Sequence, residues 1–485
     1  MATPTKTESS TATPTIVDVA VIGAGLSGLR AALNIQAEGL SCAIIEAVDR
    51  VGGKTLTVAS KKSGPGVNDV GAAWINDTTQ SEMYSLLRKY GLQSEIQRDT
   101  GLDIWEQPDG SILSPHGVLP LKEEEQLVLG QVFETFNKLL ANIDLENPAA
   151  GTGAEELDRV CLREWCLREF QSEVISSLFN FISQSLLGIE SKDISALGFL
   201  HFCKTATGLE AVISDSKHGG QYLRIRQGAQ AIAQNMAAGL KSGSLHLSTP
   251  VIEIGQDAEI GVCTIRTSNG RVFKARKIIL SIATPLYDKI KFKPALPLEK
   301  QRLARENKLG YYSKIIFVFD QPWWRNAGLS GEFKAVGEGP ILFSVDTSIP
   351  EDDQWSISCF VVGGRGLEWS RLCEEERYSS AWAQIRSAFE GAKLESGHIQ
   401  VPEPINVLEF EWSKQDFFHG GPCPAPPPGL LSSIDGSAVQ RPFENIHFIG
   451  TETALEWKGY MEGAIRSGDR GAQEVIAALR KNSIS

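Results

Sequence analysis

The stretch from Ile16 to Glu46 constrains this chain more than any other. Ile16-Val17-Asp18-Val19-Ala20-Val21-Ile22 is a short β-branched run that stops at Gly23, which suits a buried parallel strand better than a helix. A second run, Cys42-Ala43-Ile44-Ile45, ends at Glu46, and between the two Leu26 to Glu38 carries apolar residues at helical spacing. The three pieces form a βαβ unit, so the fold class is α/β. The first turn reads Gly23-Ala24-Gly25-Leu26-Ser27-Gly28. Gly23 permits the tight turn, Gly25 lets the backbone approach a pyrophosphate, and Gly28 lets the helix pack closely. Leu26 and Ser27 open that helix, whose N-terminus faces the anion. Glu46, at the end of the second strand, is placed to accept hydrogen bonds from ribose hydroxyls. Strand, turn, helix and acid together point to a dinucleotide, without separating FAD from NAD. A glycine turn serving packing alone is the alternative.

A single hydrophobic core rarely organises 485 residues, so two domains are expected. With 42% hydrophobic and 22% charged residues the chain reads as soluble and globular. Its formal charge of -12 and lack of a long basic run argue against a nucleic-acid partner. The eight cysteines are scattered, with no CxxC or Cys/His zinc pattern, so no metal site is expected and a reducing, cytoplasmic setting is the simpler inference. Met1 to about Thr15 is rich in Ser, Thr and Pro and reads as a disordered tail, not a signal peptide. The C-terminal end, Val475 to Ser485, lacks the ~20 apolar residues of a membrane anchor. Oligomeric state is open, with a homodimer one option.

Further along, Glu123 to Ala141 and Leu157 to Leu187 read as helical, so a helical segment interrupts the α/β part. Strand-like runs return at Leu245 to Glu253, Val262 to Thr267, Lys277 to Ile282 and Ile315 to Phe319. Ile446-His447-Phe448-Ile449-Gly450 echoes the first strand, and a helix follows from about Gly459 to Leu479. The stretch Gly420 to Gly429 holds so many prolines that it is expected to be a rigid loop.

Several longer motifs resemble the flavin monoamine oxidase family. Glu46-Ala47-Val48-Asp49-Arg50-Val51-Gly52-Gly53-Lys54 is similar to the family's E-A-x-x-R-x-G-G-R/K segment, with lysine where arginine is usual. Lysine keeps the charge but not the planar fork. Asp69-Val70-Gly71-Ala72-Ala73-Trp74 resembles the segment beside the flavin ring. Gly450-Thr451-Glu452-Thr453 and Trp457-Lys458-Gly459-Tyr460-Met461-Glu462-Gly463-Ala464 resemble the G-T-E-T and W-x-G-Y-M-E-G-A signatures. The resemblance extends over most of the chain and comes nearest to soluble fungal monoamine oxidases, some of which deaminate long-chain toxin amines such as fumonisins.

The resemblance implies a two-domain flavin amine oxidase fold. A Rossmann-like FAD-binding domain would comprise residues 16–96, 222–308 and 409–480, and a mixed α+β substrate domain residues 97–221 and 309–408. It implies FAD contacts from Gly23, Gly25, Leu26, Ser27, Gly28, Glu46, Ala47, Arg50, Gly53, Lys54, Gly71, Ala72, Ala73, Trp74, Val251, Gly450, Thr451, Glu452, Tyr460, Met461 and Gly463. Lys314 stands where the family carries its lysine beside flavin N5, Trp412 resembles the tryptophan packed on the flavin, and Tyr460 is the aromatic wall that holds the amine. For Glu462 a capping or packing role is an equal alternative. The family's animal members attach FAD through a cysteine in G-G-C-Y. Here Gly420-Gly421-Pro422-Cys423-Pro424 displaces the cysteine by one residue, so noncovalent FAD is expected over a thioether to Cys423. Phe417 and Phe418 are candidates for the second aromatic wall.

The implied reaction is oxidative deamination of a primary amine: hydride passes to flavin N5, oxygen becomes hydrogen peroxide, and the imine hydrolyses to aldehyde or ketone plus ammonia. A polyamine oxidase, an L-amino acid oxidase or a desaturase of the same superfamily are rivals, as is a flavin-bound binding protein without turnover. No arginine is assignable to an amino-acid carboxylate, and desaturases would lack the Tyr460 and Lys314 features.

Overall fold

Ile16–Ile22 lies inside an eight-stranded sheet, parallel to Cys42–Ile45 on one side and to Val272–Leu280 on the other. In this computed structural model, which describes residues 16–107, 110–257, 259, 261–395 and 397–481, the first βαβ unit is formed as its glycines require. Val19, Ala20 and Val21 are fully buried because helices cover the sheet. The helices Leu26–Ala37 and Met461–Lys481 pack against each other there. A Cβ on Gly468 would lie 2.5 Å from the Ser27 carbonyl oxygen, so only glycine allows that approach. Ile446–Phe448 adds to the same sheet, parallel to Val272–Leu280.

The Leu245 to Glu253 run is broken into strands Leu245–His246 and Val251–Asp257, which lie in different parts of the sheet. Ser248, with φ 49°, and Pro250 separate them. Strand Val272–Leu280 also begins earlier than the Lys277 expected from its apolar core.

A second sheet has seven strands, in the order Asn406–Glu411, Tyr312–Phe319, Trp355–Val362, Phe343–Asp346, Leu329–Ala335, Leu102–Gln107, Gly110–Pro115. The boundary placed at residue 409 falls inside the first of these strands. Between the sheet-forming segments stands a helical cluster. Its core stacks Phe136 on Phe179 with ring centres 5.1 Å apart, and Trp165 and Phe199 meet them edge to face. The helical reading of Leu157 to Leu187 resolves into three helices, Ala154–Arg159, Leu162–Phe170 and Glu173–Leu187. The Cys161 sulfur and Ser172 hydroxyl accept N-terminal amides of the second and third, and Gln171 adopts a left-handed φ of 50°.

The proline-rich stretch corrects an expectation. Gly421–Ala425 is a strand, paired antiparallel with Lys308–Gly310 in a two-stranded sheet. Both strands of such a pair are edges, where a missing N–H leaves no central ladder bond unmade. The N-terminal stretch read as a tail, and Asn482 to Ser485, lie outside the described residues. No helix among the described residues is long and apolar enough to cross a membrane.

Candidate active site

A cavity of about 990 Å³ runs from the first glycine turn to the helical cluster and the second sheet. It is large enough for an extended cofactor and more. At one end Gly23, Gly25, Leu26, Ser27, Glu46, Ala47 and Val251 line it. The Glu46 carboxylate accepts the backbone N–H of Ala24 at 2.6 Å and of Val48 at 3.0 Å, which holds it at the strand end. Ser27 shares a 2.6 Å hydrogen bond with Ser281, a lining residue that no sequence motif marked.

The next stretch is lined by Gly53, Lys54, Gly71, Ala72, Ala73, Trp74, Gly450, Thr451, Glu452, Tyr460 and Met461. These residues fit an extended dinucleotide. Gly25 and Gly53 face each other so closely that a Cβ on Gly53 would stand 3.1 Å from Gly25 Cα. A Cβ on Gly450, at φ 126°, would meet nothing within 4 Å. The walls are therefore backbone, shaped for close approach by a ligand. Lys54 Nζ donates to the Pro422 carbonyl oxygen at 3.1 Å, and desolvation lowers its pKa. Glu452 is buried and accepts both the N–H and the hydroxyl of Thr284, at 2.7 and 2.9 Å.

Gly28, Arg50 and Gly463 stand apart from the lining residues. A Cβ on Gly28 would lie 2.0 Å from the Gly23 carbonyl oxygen, and one on Gly463 2.3 Å from that of Trp457; both glycines serve chain packing. Arg50 donates to the Gly53 and Thr55 carbonyl oxygens and lies over the Trp412 and Phe418 rings, contacts that brace the loop. Glu462 accepts the backbone N–H groups of Glu82 and Met83, at 3.1 and 2.8 Å, and pairs with Arg466. It thus caps helix Ser81–Lys89.

Lys314, Trp412 and Tyr460 all line the same cavity. Lys314 lies on strand Tyr312–Phe319 and is buried. Its Nζ donates to the Gly71 carbonyl oxygen at 2.7 Å and to that of Asp69 at 3.0 Å. Desolvation lowers its pKa to about 8, while the same cause raises that of Asp69 to about 6. Trp412 donates its indole N–H to the Val70 carbonyl oxygen at 2.9 Å. The segment 69–71 is therefore pinned from two sides. The Tyr460 ring packs on Phe202, with centres 6.0 Å apart, and edge to face on Trp457. Phe417 and Phe418 also line the cavity; Phe418 meets the Trp412 ring at 5.1 Å, and Phe417 is exposed.

Along strand Gly421–Ala425 side chains alternate. Pro422 and Pro424 line the cavity, whereas Cys423 is buried in the helical core beside Phe202 and Trp457. Burial pushes its thiol up to about 12.

Beyond Tyr312, Phe343 and Phe360 the cavity meets a charged group that sequence reasoning missed: His116, Asp215, Glu332 and Lys334 line it, backed by buried Asp103. These residues come from separate segments with no local motif, which is why only the fold reveals them.

A family model described as flavin containing amine oxidoreductase matches residues 26–476. A protein of Mycobacterium tuberculosis named as a flavin-containing monoamine oxidase is 32% identical over 474 residues, 98% of this chain and 99% of its own. Human amine oxidase [flavin-containing] B is 28% identical over 471 residues, 96% of this chain and 87% of its own. Among solved structures, cyclohexylamine oxidase from Brevibacterium oxydans superposes with a TM-score of 0.86 at 26% identity, over 96% of this chain and 100% of its own. Putrescine oxidase bound to putrescine gives the same TM-score and identity, over 96% of this chain and 99% of its own. With the glycine-walled cavity and a match of this extent, the chain belongs to the flavin-containing amine oxidoreductases and is an FAD-dependent amine oxidase.

Proposed function

We propose that the chain binds FAD without a covalent link and deaminates a primary amine, yielding an aldehyde or ketone, ammonia and hydrogen peroxide. The observation that carries this reading is the convergence of Lys314, Trp412 and Tyr460 on one cavity with the glycine turn. Glu46 and Val251 would hold the adenosine end, and Gly25, Gly53 and Lys54 the diphosphate. Gly71, Trp412 and Met461 would hold the ring end. Bound there, FAD supplies the hydride acceptor and the route by which electrons reach oxygen.

The protein's own work is orientation and dryness. Tyr460 offers the amine the face of its ring. The apolar lining of Phe202, Phe343 and Phe360 excludes water and favours the neutral amine over the ammonium. Lys314 holds a positive charge, and through its N–H groups a water, beside the ring end. Noncovalent attachment is supported by the direction of Cys423, away from the lining. Residues 16–96, 222–308 and 409–480 form the FAD-binding domain in this reading, and 97–221 and 309–408 the substrate domain. The cysteines of the described residues are all free, which supports a reducing compartment such as the cytoplasm.

The test is an amine panel added anaerobically to the purified holoprotein. Bleaching of the flavin, peroxide on admitting air, and a yellow supernatant after acid precipitation are expected. A flavin that no amine bleaches would remove the reading, and flavin retained in the acid pellet would remove its noncovalent part.

A further inference from the structure

Behind Lys314 lies a second, smaller cavity of about 20 Å³, room for one water molecule. Much of its wall is polar or charged, from Asp69, Arg224, Arg226, Thr347 and Ser358. Lys314 and Ala73 line both this void and the large cavity, so they form the partition between the two. Phe360, the residue paired with Lys314, lies two positions from Ser358 on one strand, so the two share a face. That face is aromatic on the side of the large cavity. On the side of the void it is hydroxylic, and Ser358 and Thr347 share a 2.7 Å hydrogen bond there.

Asp69 is the acid of this void. Thr57 donates its hydroxyl to Oδ1 at 2.5 Å, and the Ala229 N–H reaches both carboxylate oxygens, at 3.0 and 3.1 Å. Oδ2 thus keeps capacity to accept from a water. Positive charge faces the carboxyl from two elements: Lys314 on its strand, and buried Arg224, on which Asp346 and Glu95 also act. Arg224 donates to the carbonyl oxygens of Thr347 and Ser348, each at 2.8 Å. Arg226 pairs with Asp352 and is partly exposed, so one wall of the void is an ion pair that reaches solvent. Desolvation raises the Asp69 carboxyl to about 6 and lowers the Lys314 ammonium to about 8, so both change state near neutral pH.

We propose that Asp69 and this void form a proton entry to Lys314 from the side opposite the amine. The proposal rests on the amine-oxidase reading above and adds to it a residue that does not line the large cavity and acts only through Lys314. The need for it lies in the stoichiometry. A neutral amine gives up a hydride from carbon, and O2 takes that hydride plus one proton to become H2O2, so the balancing proton comes from solvent. The apolar lining on the amine side excludes the water that would otherwise carry it. Two of the three ammonium N–H groups of Lys314 bond carbonyl oxygens, which leaves one to give its proton to oxygen. The neutral lysine then regains a proton from the Asp69 carboxyl by way of a water in the void. Solvent at the Arg226–Asp352 pair restores the carboxyl.

The experiment has a spectroscopic and a kinetic arm. Difference infrared spectra of the oxidised holoenzyme should show a protonated-carboxyl C=O stretch that grows as pH falls through about 6 and is missing from Asp69→Asn. In stopped flow, with the holoenzyme reduced by dithionite so that no amine is required, Asp69→Asn should slow reoxidation by oxygen roughly tenfold at neutral pH. The solvent isotope effect of D2O on that step should rise, as it would not for a loss of packing. Ser358→Val fills the void and leaves the carboxyl in place, so it should keep the infrared band and slow reoxidation by a similar factor. Where Asp69→Asn fails to fold, Ser358→Val decides alone. A band that survives in Asp69→Asn, reoxidation at the wild-type rate in either variant, or an isotope effect no larger than the wild type's would overturn the proton entry and leave the amine-oxidase reading intact. Failure of every amine to bleach the flavin would instead remove that reading, whatever the reoxidation shows.

Discussion

Lys314 shows how surroundings set the chemistry of a side chain. Its sequence neighbours make it an interior strand residue, and burial leaves its ammonium to the carbonyl oxygens of Asp69 and Gly71. In the role proposed for it, a cation there would favour electron passage to oxygen by offsetting the negative charge oxygen gains. Lys314→Met should therefore slow stopped-flow reoxidation of the reduced enzyme by about a hundredfold. The sign of the pH effect follows: the side chain is cationic below its lowered pKa of about 8, so wild-type reoxidation should fall as pH rises through that value, and the Met variant should lack the inflection. Gly25 gives a second test. Its φ of -70° suits any residue, and an added Cβ would come no closer than 3.8 Å to Gly53 Cα. Gly25→Ala should fold normally by circular dichroism yet purify nearly colourless, because the methyl would occupy the diphosphate path. A yellow variant would remove Gly25 from the cofactor site.

Among the elements, helix Ser81–Lys89 depends on a residue almost four hundred positions away. Glu462 opens the last helix and its buried carboxylate takes two of the amides at the start of Ser81–Lys89. Such N-terminal amides have no partner within their own helix. Glu462→Ala should lower unfolding free energy by about 1–2 kcal/mol in a denaturant titration, while Glu462→Gln should retain much of the cap. The strand Gly421–Ala425 makes a different point. Composition marked it as a loop, since proline cannot donate to a central ladder, but a two-stranded edge pair makes no such demand. Its alternation then turns Cys423 inward, so Cys423→Ser should leave the flavin extractable by acid and the visible spectrum unchanged.

At the scale of the molecule, the cavity touches the first sheet, the helical cluster and the second sheet, so its filling should couple them. Removing FAD should lower Tm in a thermal melt, and titrating it back should restore Tm with a concentration dependence set by its affinity. An unchanged Tm would mean that the cavity is rigid without its ligand.

Local chemistry made the cofactor end of this protein legible. A glycine turn between strand and helix and an acid at the next strand end form one contiguous run whose expected task falls to its own backbone, whereas the Gly450 and Tyr460 segments were legible only through family resemblance. Lys314 and Trp412 too were expected only through family resemblance, because the partners that hold them, at Asp69, Val70 and Gly71, are distant in sequence. Arg50, expected as a cofactor contact, donates to carbonyl oxygens of its own loop, bonds that its sequence window did not announce. The direction of Cys423 and the place of Lys314 between two cavities were decided by tertiary structure alone. Register sets which side chains share a face, and hydrogen bonds between separate segments choose it. One sequence window therefore carries the glycines that meet a cofactor, but not the strands that align to build the rest of the cavity.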